Sequence, residues 1–265
     1  MNPAPSHSFL IVDENLREAM RFFGTASGSG KIRALNGSIA MFSGLDYGVF
    51  NIALLTEPAV DGQLESRLRE ASRFFRERTL RWSFWLCEDL IDAQQRRESR
   101  QIFQAFGLRS ISHPPGMLAA AVLPPLRPMA RIEMRRVDDA VTREAFAEIT
   151  SLCFDIPYLI ARTVYLREQA WDGAYEGYVG YVGEKPVAIV AMVAAAGAIG
   201  IYSLATLPAF RRMGYGEALL RQAMEDVQRR TGLAKFVLQS TEAGYKIYKR
   251  MGFRDVTRFV VYLTR

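Results

Sequence analysis

The chain has 265 residues, 49% hydrophobic and 23% charged, a balance that supports a sizeable buried core. Its net charge of +6 sits mostly in the second half: residues 1–125 hold 14 Lys+Arg against 13 Asp+Glu, and residues 126–265 hold 20 against 15. No lysine-rich tail or dense basic run accompanies the surplus, which argues against a polynucleotide partner, and two cysteines, Cys87 and Cys153, exclude a disulfide framework.

In chain order, the N-terminus lacks a charged-then-apolar leader pattern, so the chain is expected in the cytoplasm. Gly24-Thr25-Ala26-Ser27-Gly28-Ser29-Gly30-Lys31 imitates a P-loop, but its spacing is one residue too long and Ile32 replaces the required Ser/Thr. It reads as a surface loop. Asn51–Val60 is an apolar run ending in Pro58, Leu64–Arg78 a helix, and Arg81–Cys87 a buried strand. Leu123-Pro124-Pro125-Leu126-Arg127-Pro128 is a proline-rich linker.

The second half alternates strands and helices. Arg131–Arg136 predicts a strand, Thr142–Cys153 and Leu159–Trp171 helices, and Gly177–Val182 with Val187–Ala195 a hairpin across Gly183-Glu184-Lys185-Pro186. Ala198–Thr206 follows as a central strand, then a helix at Gly214–Arg230, a strand at Lys235–Ser240, a helix at Glu242–Met251 and a strand at Arg254–Tyr262. Residues 186–210 carry no charge, long enough to span a bilayer, yet Gly197 and Gly200 interrupt them and valine, alanine and isoleucine predominate. Paired buried strands, with no membrane span, explain that composition.

The densest chemistry lies between the central strand and the helix after it. Leu204-Ala205-Thr206 leads through Arg211-Arg212-Met213-Gly214-Tyr215-Gly216-Glu217 into the helix. Unpaired N–H groups and the helix dipole make such a start an anion site, Gly214 and Gly216 permit close approach, and Arg211 and Arg212 add positive charge. This is a pyrophosphate cradle, but neither the Rossmann nor the P-loop spacing. The pattern R-x-x-G-x-G, with Tyr248-x-x-x-Gly252-Phe253 thirty-odd residues later, resembles the GCN5-related N-acetyltransferases.

That resemblance implies an α/β (α+β) fold, a mixed, mostly antiparallel sheet flanked by helices, with acetyl-CoA as donor and an amine as acceptor. It assigns Leu204, Ala205 and Thr206 to the pantetheine arm, Arg211 through Glu217 to the pyrophosphate, and Tyr248 to protonation of the leaving thiolate, with Tyr245 as a substitute. Thr241 stands where many relatives carry a cofactor-contacting Asn. No base is assigned: histidine is absent from the second half, leaving Glu176, Glu242, or a water held by Ser203, Ser240 or Thr241. No cluster has metal-ligand spacing. Asp155, Glu168, Asp172 and Glu176 are available to a cationic acceptor. The reading admits a homodimer.

The first half echoes the second. Gln101–Ser110 aligns with Lys246–Asp255, and Asn51–Val60 with Ile201–Phe210, but Asp61-Gly62-Gln63-Leu64-Glu65 replaces the basic turn and Phe103 replaces Tyr248. A tandem duplication is expected, with a degenerate copy at 1–123, a linker at 124–130 and the catalytic copy at 131–265. Two other functions compete: an acyl-CoA sensor without turnover, against which Tyr248 weighs, and a tRNA-dependent aminoacyl transferase, which has no need of the cradle.

Overall fold

A computed structural model describes residues 8–60, 62–78 and 80–264. Asp61, of the turn that replaces the basic one, and His7 lie outside them. The first half runs α1 (Ser8–Thr25), β1 (Lys31–Leu35), β2 (Ser38–Phe42), β3 (Ile52–Leu55), α2 (Gln63–Arg76), β4 (Ser83–Cys87), α3 (Ala93–Ala105), β5 (Leu108–Ser112) and β6 (Pro115–Ala119). The second runs β7 (Glu133–Arg136), α4 (Ala140–Phe154), α5 (Tyr158–Tyr165), β8 (Tyr175–Val182), β9 (Lys185–Ala195), β10 (Ala198–Thr206), α6 (Tyr215–Thr231), β11 (Phe236–Gln239), α7 (Glu242–Arg250) and β12 (Arg254–Thr264).

Local chemistry accounts for the boundaries. Asp139 and Thr142 form a capping box at the start of α4, and Asp155 ends that helix in the left-handed region at φ 54°. Gly214 (φ 86°) and Gly232 (φ 71°) bracket α6. The helix expected over Leu159–Trp171 stops at Tyr165, and Glu168–Asp172 forms a separate 3₁₀ turn. Trp171 Nε1 donates to the Tyr165 carbonyl across that break, at 2.9 Å. The hairpin turn shrinks to Gly183-Glu184, because β9 already begins at Lys185.

The strands form one sheet in the order β1-β2-β3-β4-β12-β6-β11-β10-β9-β8-β7, with β5 also paired to β12. Only β3–β4 and β10–β11 are parallel. The centre is a reciprocal exchange. β6, from the first half, pairs with β11 of the second (Gly116↔Gln239), while Phe259–Leu263 of β12 pair with β4 of the first. Arg254–Arg258 of β12 pair with β6 between them, so neither half completes its sheet alone.

α1 crosses this seam. Val12, Leu16, Ala19, Met20 and Phe23 recur at helical spacing and are buried against the sheet. Asn15 is wholly buried: its Nδ2 donates to the carbonyls of Val193, Ala195 and Ala198, and its Oδ1 accepts the Tyr202 hydroxyl. On the other face, Leu219, Leu220, Ala223 and Val227 of α6 join Tyr248, Met251 and Phe253 in a second apolar cluster. Among the described residues, no helix is long and apolar enough to cross a membrane.

Candidate active site

β10 and β11 pair only at Ile199↔Phe236 and Gly200↔Val237. Beyond that point β10 keeps its partner β9 (Ala205↔Ile189, Thr206↔Ala188) and β11 keeps β6, so the two strands diverge. The divergence coincides with a register shift between Tyr202 and Ala205, where Ser203 takes φ 49°. A non-glycine residue in the left-handed region is strained, and such strain collects at functional sites. Leu204, Ala205 and Thr206 therefore lie along an edge of β10 with no ladder partner on the β11 side. The resemblance puts the pantetheine arm at these three residues.

The cradle sits at the carboxyl end of that edge. The first amide of α6 to find a helical acceptor is that of Ala218, which donates to the Gly214 carbonyl at 3.0 Å. The amides of Gly214, Tyr215, Gly216 and Glu217 precede it and have no intrahelical acceptor. Arg211, Arg212, Met213 and Gly214 are exposed, and Tyr215, Gly216 and Glu217 are half-buried. Gly214 needs its missing Cβ for φ 86°, and a Cβ on Gly216 would come 2.7 Å from Thr206 Oγ1. Glycine thus lets the helix start lie directly against the end of β10.

Arg211 Nε donates to the Thr206 carbonyl at 3.0 Å, and its guanidinium lies beside the Cys153 thiol of α4. Burial raises the Cys153 pKa, and Arg211 opposes that rise. Glu217 is paired with Arg221 at 2.9 Å, on the same helix. Exposed main-chain donors and positive charge at the end of an unpaired strand edge fit a diphosphate with a peptide-like arm.

Tyr248 is 7% exposed, its ring packed edge-on against Phe253 at 5.6 Å and close to Gly244, where a Cβ would meet it at 2.9 Å. Burial pushes its pKa well up, so the hydroxyl holds its proton at neutral pH. Tyr245, the expected substitute, donates instead to Asp255 Oδ2 at 2.9 Å on the surface. The exposed Thr241 caps α7, its hydroxyl accepting the Gly244 amide at 3.3 Å.

The base candidates do not converge. Glu176 is held by Arg136 (3.1 Å) and Arg230. Arg230 lies about 22 Å along α6 from Tyr215 at 1.5 Å per residue, so Glu176 belongs to the far end of that helix. The Ser203 hydroxyl is bonded to Tyr175 at 2.8 Å, and the Ser240 hydroxyl donates to the Thr241 carbonyl. Glu242 is exposed in the first turn of α7. Among the acceptor-side carboxylates, Glu168 lies 4.0 Å from Arg143 and Asp155 serves as the C-cap of α4. Among the described residues, no group of three His, Cys, Asp or Glu could hold a metal ion.

The parallel strand pair of the first half stays closed. β3 and β4 stay paired through Ile52↔Ser83, Ala53↔Phe84 and Leu54↔Trp85. Arg67 of α2, 6% exposed, donates to the carbonyls of Gly37, Glu57 and Pro58 and to Gln63 Oε1. Arg17, paired with Asp13, donates to the Leu55 carbonyl at the end of β3. Phe103 stacks on Tyr262 at 3.7 Å.

Residues 173–255, under a third of the chain, match the family model described as an acetyltransferase (GNAT) domain, and this match supports an acetyltransferase enzyme. That family uses acetyl-CoA as its donor. No curated protein matches the chain. Solved structures similar to it include a GCN5-related N-acetyltransferase from Kribbella flavida, at 18% identity and a TM-score of 0.71, covering 96% of this chain and 94% of that one. A GCN5-related N-acetyltransferase from Sphaerobacter thermophilus is 13% identical with a TM-score of 0.53, covering 99% and 93%. A GCN5-related N-acetyltransferase-like protein from Streptococcus suis is 14% identical with a TM-score of 0.53, covering 95% and 98%. At these identities the likeness is one of fold, and it extends over both halves.

Proposed function

We propose that the chain moves an acetyl group from acetyl-CoA to a primary amine by direct attack of the amine on the thioester. One observation carries this reading: β10 and β11 part after Gly200, and the free edge so created runs to Thr206, against which the open amides of α6 begin. A strand edge from Leu204 to Thr206 can hold an extended, amide-bearing arm as it would hold another strand. A main-chain N–H on that edge polarises the acyl carbonyl, and the amides of Gly214–Glu217, with Arg211 and Arg212, take the diphosphate. Bound there, the thioester supplies the acetyl carbon and a thiolate leaving group. Tyr248, buried and protonated, donates to that sulfur.

The first half, residues 1–123, is read as a second copy that has lost its donor site, joined through 124–130 to the catalytic copy at 131–265. Its closed β3–β4 pair, the Arg67 plug and Phe103 in place of a hydroxyl support this.

Calorimetric titration with acetyl-CoA tests the reading, followed by thiol release with a panel of amines. One molecule per chain is expected to bind, and Gly214→Asp should weaken binding by about tenfold or more, a carboxylate and a β-carbon now occupying the cradle. No binding by the unsubstituted chain would end the proposal.

A further inference from the structure

Resting on that reading, we propose that Tyr175 is a positioning residue for the transfer: by holding Ser203 in its left-handed conformation, its hydroxyl fixes the main chain of β10 that faces the acyl carbonyl. Across the register shift, Tyr202 pairs with Ala191 and Ala205 with Ile189, so Ser203 and Leu204 together stand opposite the single residue Val190. That is a β-bulge, which leaves one residue out of the ladder and re-aims the chain beside it. It falls where β10 has already lost β11, and the Leu204–Thr206 edge follows directly from it.

A serine does not take φ 49° by preference. In the left-handed region Cβ crowds the main chain, and the conformation persists only where the surroundings impose it. Two side-chain bonds do so here. The Tyr202 hydroxyl donates to Asn15 Oδ1 at 2.7 Å, fixing the residue before the bulge. The Ser203 and Tyr175 hydroxyls share a hydrogen bond at 2.8 Å, fixing the bulged residue itself.

The Tyr175 hydroxyl is in turn held by packing. The residue is 4% exposed, its ring stacks on Phe22 at 4.3 Å, and the rings of Trp171 and Phe23 lie at 6.1 and 6.4 Å. A side chain packed this closely has no room to turn toward another partner. Burial raises its pKa, so it stays a neutral hydroxyl. Tyr165 brings a second buried hydroxyl toward Ser203, but the 2.8 Å contact is that of Tyr175. Phe22 and Phe23 belong to α1, so a helix of the first half shapes the strand on which the thioester is placed.

The consequence is electrostatic. As the amine attacks, negative charge develops on the carbonyl oxygen, and a main-chain N–H already aimed at that oxygen stabilises the transition state more than the bound donor. Losing such a donor outright costs about 100-fold or more in rate. Loosening the bulge spoils the aim and leaves the donor in place, so a smaller loss is expected. The amides of Gly214–Glu217 are not touched by it.

The test compares the unsubstituted chain with Tyr175→Phe, Ser203→Ala, Ser203→Gly and the pair Tyr175→Phe with Ser203→Gly. Two quantities are read: kcat with the best amine of a panel, and the infrared carbonyl stretch of isotope-labelled acetyl-CoA bound without amine. Tyr175→Phe keeps the packed ring, and kcat should fall on the order of tenfold, with the calorimetric affinity for acetyl-CoA within about twofold. The carbonyl band should lie at higher frequency than in the unsubstituted chain, because its oxygen is less polarised. Ser203→Ala breaks the same bond from the other side and should reproduce both effects. Glycine enters the left-handed region without strain, so in the Ser203→Gly background Tyr175→Phe should cost less than about threefold. An unaltered kcat or carbonyl band in Tyr175→Phe, or the same loss in the glycine background, overturns the role of Tyr175 and leaves the acetyltransferase reading standing. No acetyl-CoA binding, or no amine turned over, by the unsubstituted chain overturns that reading and this inference with it.

Discussion

Asn15 Oδ1 accepts the hydroxyl of Tyr202 at 2.7 Å, tying the first helix of the chain to the strand that bears the free edge. Tyr202 is the last regularly paired residue of β10 before the register shift, and a Cβ on Gly200 would collide with the same asparagine. The Asn15 amide nitrogen meanwhile reaches three carbonyls around the β9–β10 turn. One side chain from the first half thus braces the base of the site in the second.

Asn15→Leu should therefore destabilise the chain by about 3 kcal/mol, since it strands a buried hydroxyl and three acceptors while burying a bulkier group. Urea unfolding with an unchanged slope would report this as a lower midpoint. A midpoint equal to that of the unsubstituted chain would show that the brace carries no energy.

Tyr248→Phe separates chemistry from structure. The ring is packed, and the hydroxyl has no hydrogen-bond partner within the described residues, so its loss should leave stability and acetyl-CoA affinity nearly unchanged. kcat should fall by about 100-fold, the usual worth of a positioned proton donor. Equal turnover in the two proteins would remove Tyr248 from the mechanism.

Stability should depend on pH through Asp13. Burial is the main cause pushing its pKa up to about 7, and Arg17 opposes it. The folded chain thus binds this proton more tightly than the unfolded chain, where the carboxyl titrates near 3.8. The contribution is full below pH 3.8 and is lost as pH rises from there through about 7, up to about 4 kcal/mol in all. Asp13→Asn, which still offers Arg17 an acceptor, should flatten the stability profile over that interval and leave the variant the more stable protein at pH 8. Parallel profiles for the two proteins would contradict this.

Arg67→Leu tests whether the filled turn of the first half is structural. Five acceptors lose their donor, three of them main-chain carbonyls, so a loss of about 3 kcal/mol is expected. Acetyl-CoA should still bind one per chain with unchanged affinity. A second molecule bound by the variant would mean that the guanidinium masks a working site.

Much of this molecule is written locally. The strand at Ala198–Thr206 has the bounds its apolar run predicts, and α6 starts where two glycines and a basic turn say it must. Backbone conformation and hydrophobic period are properties of neighbouring residues, so they survive without tertiary context. No element is expected from the sequence over α1, although its buried Val12, Leu16, Ala19 and Phe23 fall at helical spacing.

What chain order could not disclose is which strand lies beside which. The carboxylate of Glu176, a candidate base by proximity in sequence, is carried by β8 to a pair of arginines, one of them near the C-terminal end of α6. Thr241 spends its hydroxyl on a helix cap, and Tyr245 reaches Asp255. Strand pairing is a contact between residues far apart in sequence, decided by how two half-sheets satisfy their open edges. Here each satisfies its edge with a strand of the other.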